Sequence, residues 1–207
     1  MTVALPKRLL AVDPSLTCTG WAVFDIESQR PTDFSIIRPP GPTEHLTDRY
    51  DWLQEEVVKV YTMLGLGRGD FLICEGPAPL VKNPESSLRV ERVRSIFEAV
   101  GRMQGVKVLT RLNPRTVQSE ILGLRGKQMP RAQVKELARS TAFQVFPEIN
   151  NLNQKKLSQD IVDAILVGML AVSKIQIHLK TGVELELLFQ SKTSSRNNRS
   201  WRSIVPA

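Results

Sequence analysis

Four acidic side chains stand in this sequence where acids are costly. Residues 8–15, RLLAVDPS, run through four successive apolar residues and close on Asp13 before a proline; residues 70–75, DFLICE, repeat the pattern and close on Glu75. Short apolar runs bounded by turn residues read as buried strands, so each strand carries one carboxylate at its C-terminal end. Further on, LSQDIVDAILVGMLAV places Asp160 and Asp163 three residues apart on an otherwise apolar helix, and that spacing puts them on one face. Burying a carboxylate is unfavourable unless it is paired or bound to a cation. Taken singly, Asp13 could cap the Pro14 turn, Glu75 could end an edge strand and Asp160 could cap the last helix. Taken together, acids recurring at the ends of core elements favour a shared cation. Oxygen donors without histidine or thiolate suit Mg²⁺ or Mn²⁺. Two such ions bridged by carboxylates are the arrangement that hydrolyses a phosphodiester, one activating water and the other stabilising the leaving 3′-oxygen.

The elements that must position these acids follow from periodicity. Strands over residues 8–15, 17–25 and 33–38 form a meander, and the PPGP run at 39–42 interrupts regular structure. A helix is predicted from residue 43 to about 64, with Leu46, Leu53, Val57, Val60 and Leu64 at helical spacing. The strand at 70–75 is followed by a proline-rich loop and a helix over 85–103, whose stripe is Val90, Val93, Phe97 and Val100. Then come a strand at 106–112, a short helix at 114–122, a basic loop at 123–128, a helix at 130–146 opening with proline in its first turn, and a last helix at 157–175. This order predicts an α/β fold with a mixed five-stranded sheet, three antiparallel strands then two parallel, flanked by helices. One domain is expected over 1–180. The remainder, 181–207, is an extension: VELELLFQ as an edge strand or short helix, then from residue 191 a polar tail with four basic residues and no acid, read as flexible.

In 207 residues, Lys and Arg outnumber Asp and Glu by 28 to 21, a formal charge of +7. That balance favours an anionic partner, nucleic acid first, although a merely basic surface would give the same number. Cys18 and Cys74 sit in apolar segments and read as small core residues in a reducing cytosol. His45 and His178 have no ligand-type neighbours at useful spacing, so zinc is not expected. No run reaches about 18 apolar residues and no secretory signal opens the chain; a soluble protein of the cytoplasm, with no membrane partner, is expected.

The motifs in order resemble one family. LAVDPSLTCTGWAVFD resembles the first motif of the RuvC Holliday junction resolvases, phage-type members especially: apolar strand, Asp-Pro, Ser/Thr-rich turn, then Gly and an aromatic residue. FLICEG resembles the second motif, VKNPESSLRVERVRSIFEAV the turn and helix after it, NPRTVQSEILGL and PRAQVKELA the segment before the last helix, and SQDIVDAILVG the closing Asp-x-x-Asp-Ala motif. The likeness covers about residues 8–175.

The resemblance implies an RNase H-like, Mg²⁺-dependent endonuclease, in which Mn²⁺ may substitute and two ions occupy each site. It implies catalytic and metal-binding roles for Asp13, Glu75, Asp160 and Asp163. It further implies a homodimer through the helix at 85–103, a four-way DNA junction nicked symmetrically, a branch-migration helicase as partner, and a place at the nucleoid or in the cytoplasm of a phage-infected cell. Lys82, Arg125, Lys127, Arg131 and Lys135 are the DNA-contact candidates. Two departures bear on recognition. The aromatic residue that stacks at the junction centre in the family has no counterpart in GPAPLVKN, where Leu80 is the nearest substitute. Of two family lysines in the later basic region, one is Gln118 here and the other aligns with Arg131. The alternatives are another RNase H-like nuclease, acting on flaps, branched DNA or RNA–DNA hybrids, and a catalytically silent DNA-binding scaffold.

Overall fold

A computed structural model of the chain describes residues 7–76, 84–124, 129–149 and 157–190. Strand β1 (Arg8–Asp13) lies at the centre of a five-stranded sheet. It pairs antiparallel with β2 (Thr19–Asp25), which pairs antiparallel with β3 (Arg30–Ile37). On its other side β1 runs parallel to β4 (Phe71–Cys74), and β4 parallel to β5 (Lys107–Val108), giving the order β3-β2-β1-β4-β5. The predicted architecture is thus the observed one.

Strand alternation divides the core in two. Leu10, Val12, Trp21, Val23, Leu72 and Cys74 face helices α1 (Leu46–Leu64) and α2 (Pro84–Met103). Leu9, Ala11, Ala22, Phe24, Phe71 and Ile73 face the opposite layer. That layer holds α3 (Pro114–Ile121), α4 (Arg131–Val145), α5 (Gln159–Thr181) and the short α6 (Leu185–Phe189). The long apolar α5 has the composition of a membrane span, with a mean hydropathy of 1.6. Here its apolar side chains from Ile161 to Ile175 are buried in the core, Met169 partly so.

Several expected boundaries move. β3 begins at Arg30 rather than 33, because Asp25 Oδ1 accepts from the Ser28 amide (2.7 Å) and Gln29 takes a positive φ of 58°, which closes the β2–β3 turn early. Pro31 is tolerated because β3 is an edge strand with a register shift opposite it, between Val23 and Phe24. The strand expected over 106–112 is a two-residue ladder followed by a break, with pairing resuming only at the Glu75–Leu112 bridge. Helix α1 starts at Leu46 rather than 43. Helix α5 runs six residues beyond 175 and stops at Gly182, whose φ of 72° gives a left-handed cap. VELELLFQ contains the short helix α6, whose Leu185 and Phe189 are buried in the core with α5. Cys74 is a core residue as expected, but Cys18 is not: it lies in the turn before β2, partly exposed. Val93, Phe97 and Val100 are buried against α1 and the sheet, so most of the α2 stripe is used within the monomer.

Candidate active site

The same alternation that builds the core places the acids. Asp13 follows Leu9 and Ala11 at two-residue steps, and Glu75 follows Phe71 and Ile73, so both carboxylates leave the sheet on the α5 side. The two strand ends are adjacent: the Glu75 amide donates to the Val12 carbonyl at 2.9 Å. Opposite Asp13 in register on β2 is Gly20. A Cβ there would lie 1.9 Å from the Asp160 carbonyl oxygen and 2.8 Å from the Ile161 nitrogen. Only glycine lets the first turn of α5, with Asp160 and Asp163, come down onto the sheet beside Asp13.

The turn after Asp13 is fastened from two sides. Buried Thr19 donates through its hydroxyl to the Ser15 carbonyl (2.7 Å) and accepts from the Ser15 amide (3.0 Å). Arg49, buried on α1, donates to the carbonyls of Leu16 (2.9 Å) and Pro40 (2.8 Å), tying the turn to the segment that leaves β3. Sequence reasoning missed both residues. A buried arginine on a helix gives no periodic signal, and its partners are main-chain groups.

The electrostatics are those of crowded anions. Burial, then the charge of Asp163 and more weakly that of Asp160, raise the Asp13 carboxyl to about 7, against a hydrogen bond from Glu75 that lowers it. Burial and the neighbouring Asp13 charge push Glu75 well above the ordinary carboxylate range. Asp163 is raised by burial and opposed by Gln159, Lys135 and Arg131. Its Oδ1 accepts from the Gln159 side chain at 2.8 Å. Asp160 turns away, accepting from the Ser158 hydroxyl at 2.7 Å and standing by Cys18 and Arg38 at the end of β3.

The structure therefore groups Asp13, Glu75 and Asp163, with Asp160 on their flank. Among the described residues no three His, Cys, Asp or Glu side chains close into a ready metal cage. The donors nevertheless fit a hard cation in kind: all are carboxylates, and their mutual repulsion is what a divalent charge would relieve. Beside them a cavity of about 180 Å³ opens between α3, α4 and α5, with Glu75 and Asp163 on one wall and Arg131 and Lys135 on another. Of the remaining candidates, Leu80, Lys82, Arg125 and Lys127 lie outside the described residues.

No family profile and no curated protein matches the sequence. Solved structures do match. RuvC of Thermus thermophilus in complex with a Holliday junction substrate superposes with a TM-score of 0.62 at 14% identity, over 84% of this chain and 97% of its own. A second T. thermophilus RuvC structure gives 0.62 at 15% identity over the same shares. The yeast mitochondrial Holliday junction resolvase Ydc2 gives 0.50 at 16% identity, over 80% of this chain and 78% of its own. With the β3-β2-β1-β4-β5 sheet and α5 laid across it, this chain has the RuvC form of the RNase H-like fold.

Proposed function

We propose that this protein is a divalent-metal-dependent DNA endonuclease that resolves four-way junctions by paired symmetric nicks. The observation that carries the proposal is the meeting of Asp13, Glu75 and Asp163 at one end of the sheet, facing the cations of α4. The structural neighbours named as Holliday junction resolvases support the choice of substrate.

Asp13 and Glu75, with Asp163 and Asp160 completing the set, would hold Mg²⁺ or Mn²⁺, two ions in the family's manner. Such ions supply Lewis acidity that makes water a nucleophile and neutralises charge on the phosphate. The protein does the positioning. Gln159 and Ser158 orient the two helix acids, the Thr19 and Arg49 contacts fix the turn after Asp13, and Arg131 and Lys135 present positive charge where a phosphate would approach the carboxylates. Lys82, Arg125 and Lys127 would extend the DNA contact and Leu80 would reach the junction centre. A homodimer offers two such sites to a pseudo-twofold junction. With the apolar stripe of α2 turned inward, the dimer would use the other face of that helix, where Leu88 and Met103 are exposed. A branch-migration helicase and a cytoplasmic, nucleoid-associated setting complete the proposal.

Cleavage of a panel of four-way, three-way, flap and RNA–DNA hybrid substrates with Mg²⁺ tests the assignment. Paired nicks confined to the four-way junction are expected. Cleavage of hybrids alone would replace it with another RNase H-like activity, and binding without cleavage of any substrate would leave a silent scaffold.

A further inference from the structure

Glu75, Asp13, Gly20 and Ile36 stand in one row across the end of the sheet. Phe34 and Ile36 of β3 pack into the α5 layer, and the two-residue step carries the next member of that series, Arg38, to the same face just beyond the row. It lies on the β3 flank of the acids, past Asp160, whose carbonyl sits over Gly20; Arg131 and Lys135 line the wall shared with Glu75 and Asp163. Strands are about 4.8 Å apart, so the Arg38 backbone is on the order of 10 Å from that of Asp13. Arg8, Arg30, Arg89, Arg94, Arg102 and Arg111 are each neutralised by a carboxylate, and buried Arg49 is satisfied by two carbonyls. The Arg38 guanidinium is exposed and enters no ion pair among the described residues. Its hydrogen-bond partner is the Cys18 thiol, a weak acceptor, with the Asp160 charge within reach. A planar fork of donors left largely unused beside a phosphate-cutting site is matched by a second phosphate.

We propose that the cleaved strand crosses the end of the sheet from α4 to β3, and that Arg38 grips a phosphate neighbouring the one attacked. The proposal rests on the nuclease reading for the identity of the anion. It makes the β3 edge part of the substrate track and lays the bound strand over Cys18.

The test measures binding of the full chain to a four-way junction in Ca²⁺, without turnover, over a range of salt concentrations. Arg38→Ala is expected to weaken binding on the order of tenfold and to reduce the slope of log affinity against log salt by about 0.9 for each site engaged. Arg38→Lys, which keeps the charge, should keep the slope. Neutral methylphosphonates placed singly along the strand locate the contact: one position beside the mapped cut should weaken binding by the parent chain and leave Arg38→Ala unaffected. Bound junction should also shield Cys18 from a maleimide, Cys74 being buried. A slope and methylphosphonate pattern unchanged in Arg38→Ala of unaltered melting temperature, or a Cys18 that DNA leaves unshielded, would overturn the proposal. So would a variant of unchanged slope that needs more Mg²⁺ to cut, since Arg38 would then act on Asp160 rather than on DNA. A slope lost on Arg38→Ala in a chain that cuts no junction would support the contact while refuting the nuclease reading; junction cleavage indifferent to Arg38 would do the reverse.

Discussion

Asp13 is where the account is most exposed at the level of single residues. Its carboxyl titrates near 7 in the folded chain, mainly because it is buried and secondly because Asp163 is close, against about 3.9 in an unfolded one. Between those values the folded state binds the extra proton, so stability is present at low pH and is lost as pH rises through the window. In metal-free buffer the melting temperature is therefore expected to be lower at pH 8 than at pH 5.5. Asp13→Asn should reduce that dependence, leaving the part that the raised Glu75 and Asp163 carboxyls contribute, and raise the pH 8 value, a difference on the order of a few kcal/mol at most. Added Mn²⁺ should stabilise the parent protein at pH 8 and the variant much less; equal melting shifts in both would show that Asp13 is not a ligand. Part of this was legible beforehand. That each of the runs RLLAVD and FLICE ends in an acid was readable; that both acids leave the sheet on one face was not, because runs apolar at every position carry no face label and the phase is set by the β1–β4 register. The unequal roles of Asp160 and Asp163 were not legible, because they depend on the rotamers chosen by Ser158 and Gln159.

At the scale of elements, the decisive contact is between β2 and α5, and two glycines make it. Gly20 accepts the first turn of the helix against the strand, and Gly168, two turns later, leaves room for the Phe24 ring, which a Cβ would meet at 2.1 Å. Gly20→Ala would press a methyl group into the backbone that carries Asp160. If Asp160 and Asp163 serve the proposed reaction, displacement of α5 by about 1 Å is expected to cost on the order of 100-fold in cleavage. Gly168→Ala instead overpacks a side chain in the core and should destabilise by about 1–3 kcal/mol, read as a lower melting temperature, with a smaller loss of activity at a temperature where the variant is folded. Equal, small effects of both substitutions would contradict this division. That Gly20 is the residue against which α5 packs is a tertiary fact that no local pattern in the sequence announces. The end of α5 shows the opposite situation. Gly182 just after His178 and Lys180 is a helix stop by local rules, and apolar periodicity alone ended the helix too soon. The β5 ladder ends at Val108, and in the break before the Leu112 bridge Arg111 pairs with Glu91 of α2 at 2.7 Å; no local pattern in VKVLTRL announces that.

For the whole molecule, the topology was readable because strand order follows from short connections and from the helices between parallel strands, whereas assembly was not. With Val93, Phe97 and Val100 buried in the monomer, a dimer through α2 must be built on side chains that sequence periodicity assigns to solvent. Sedimentation is expected to show a dimer, and Leu88→Glu to shift it toward monomer without lowering the melting temperature of the domain; a parent chain that is monomeric at all accessible concentrations would remove the twofold argument. The central claim, that the clustered carboxylates cut branched DNA, is tested most directly by incubating the full chain and its Asp13→Asn variant with an end-labelled four-way junction and Mg²⁺. The account predicts paired nicks at symmetric positions on two strands for the parent chain, and none for a variant that still binds the junction in Ca²⁺. Undiminished cleavage by the variant, or failure of the parent chain to cut the junction while cutting hybrids, would contradict it.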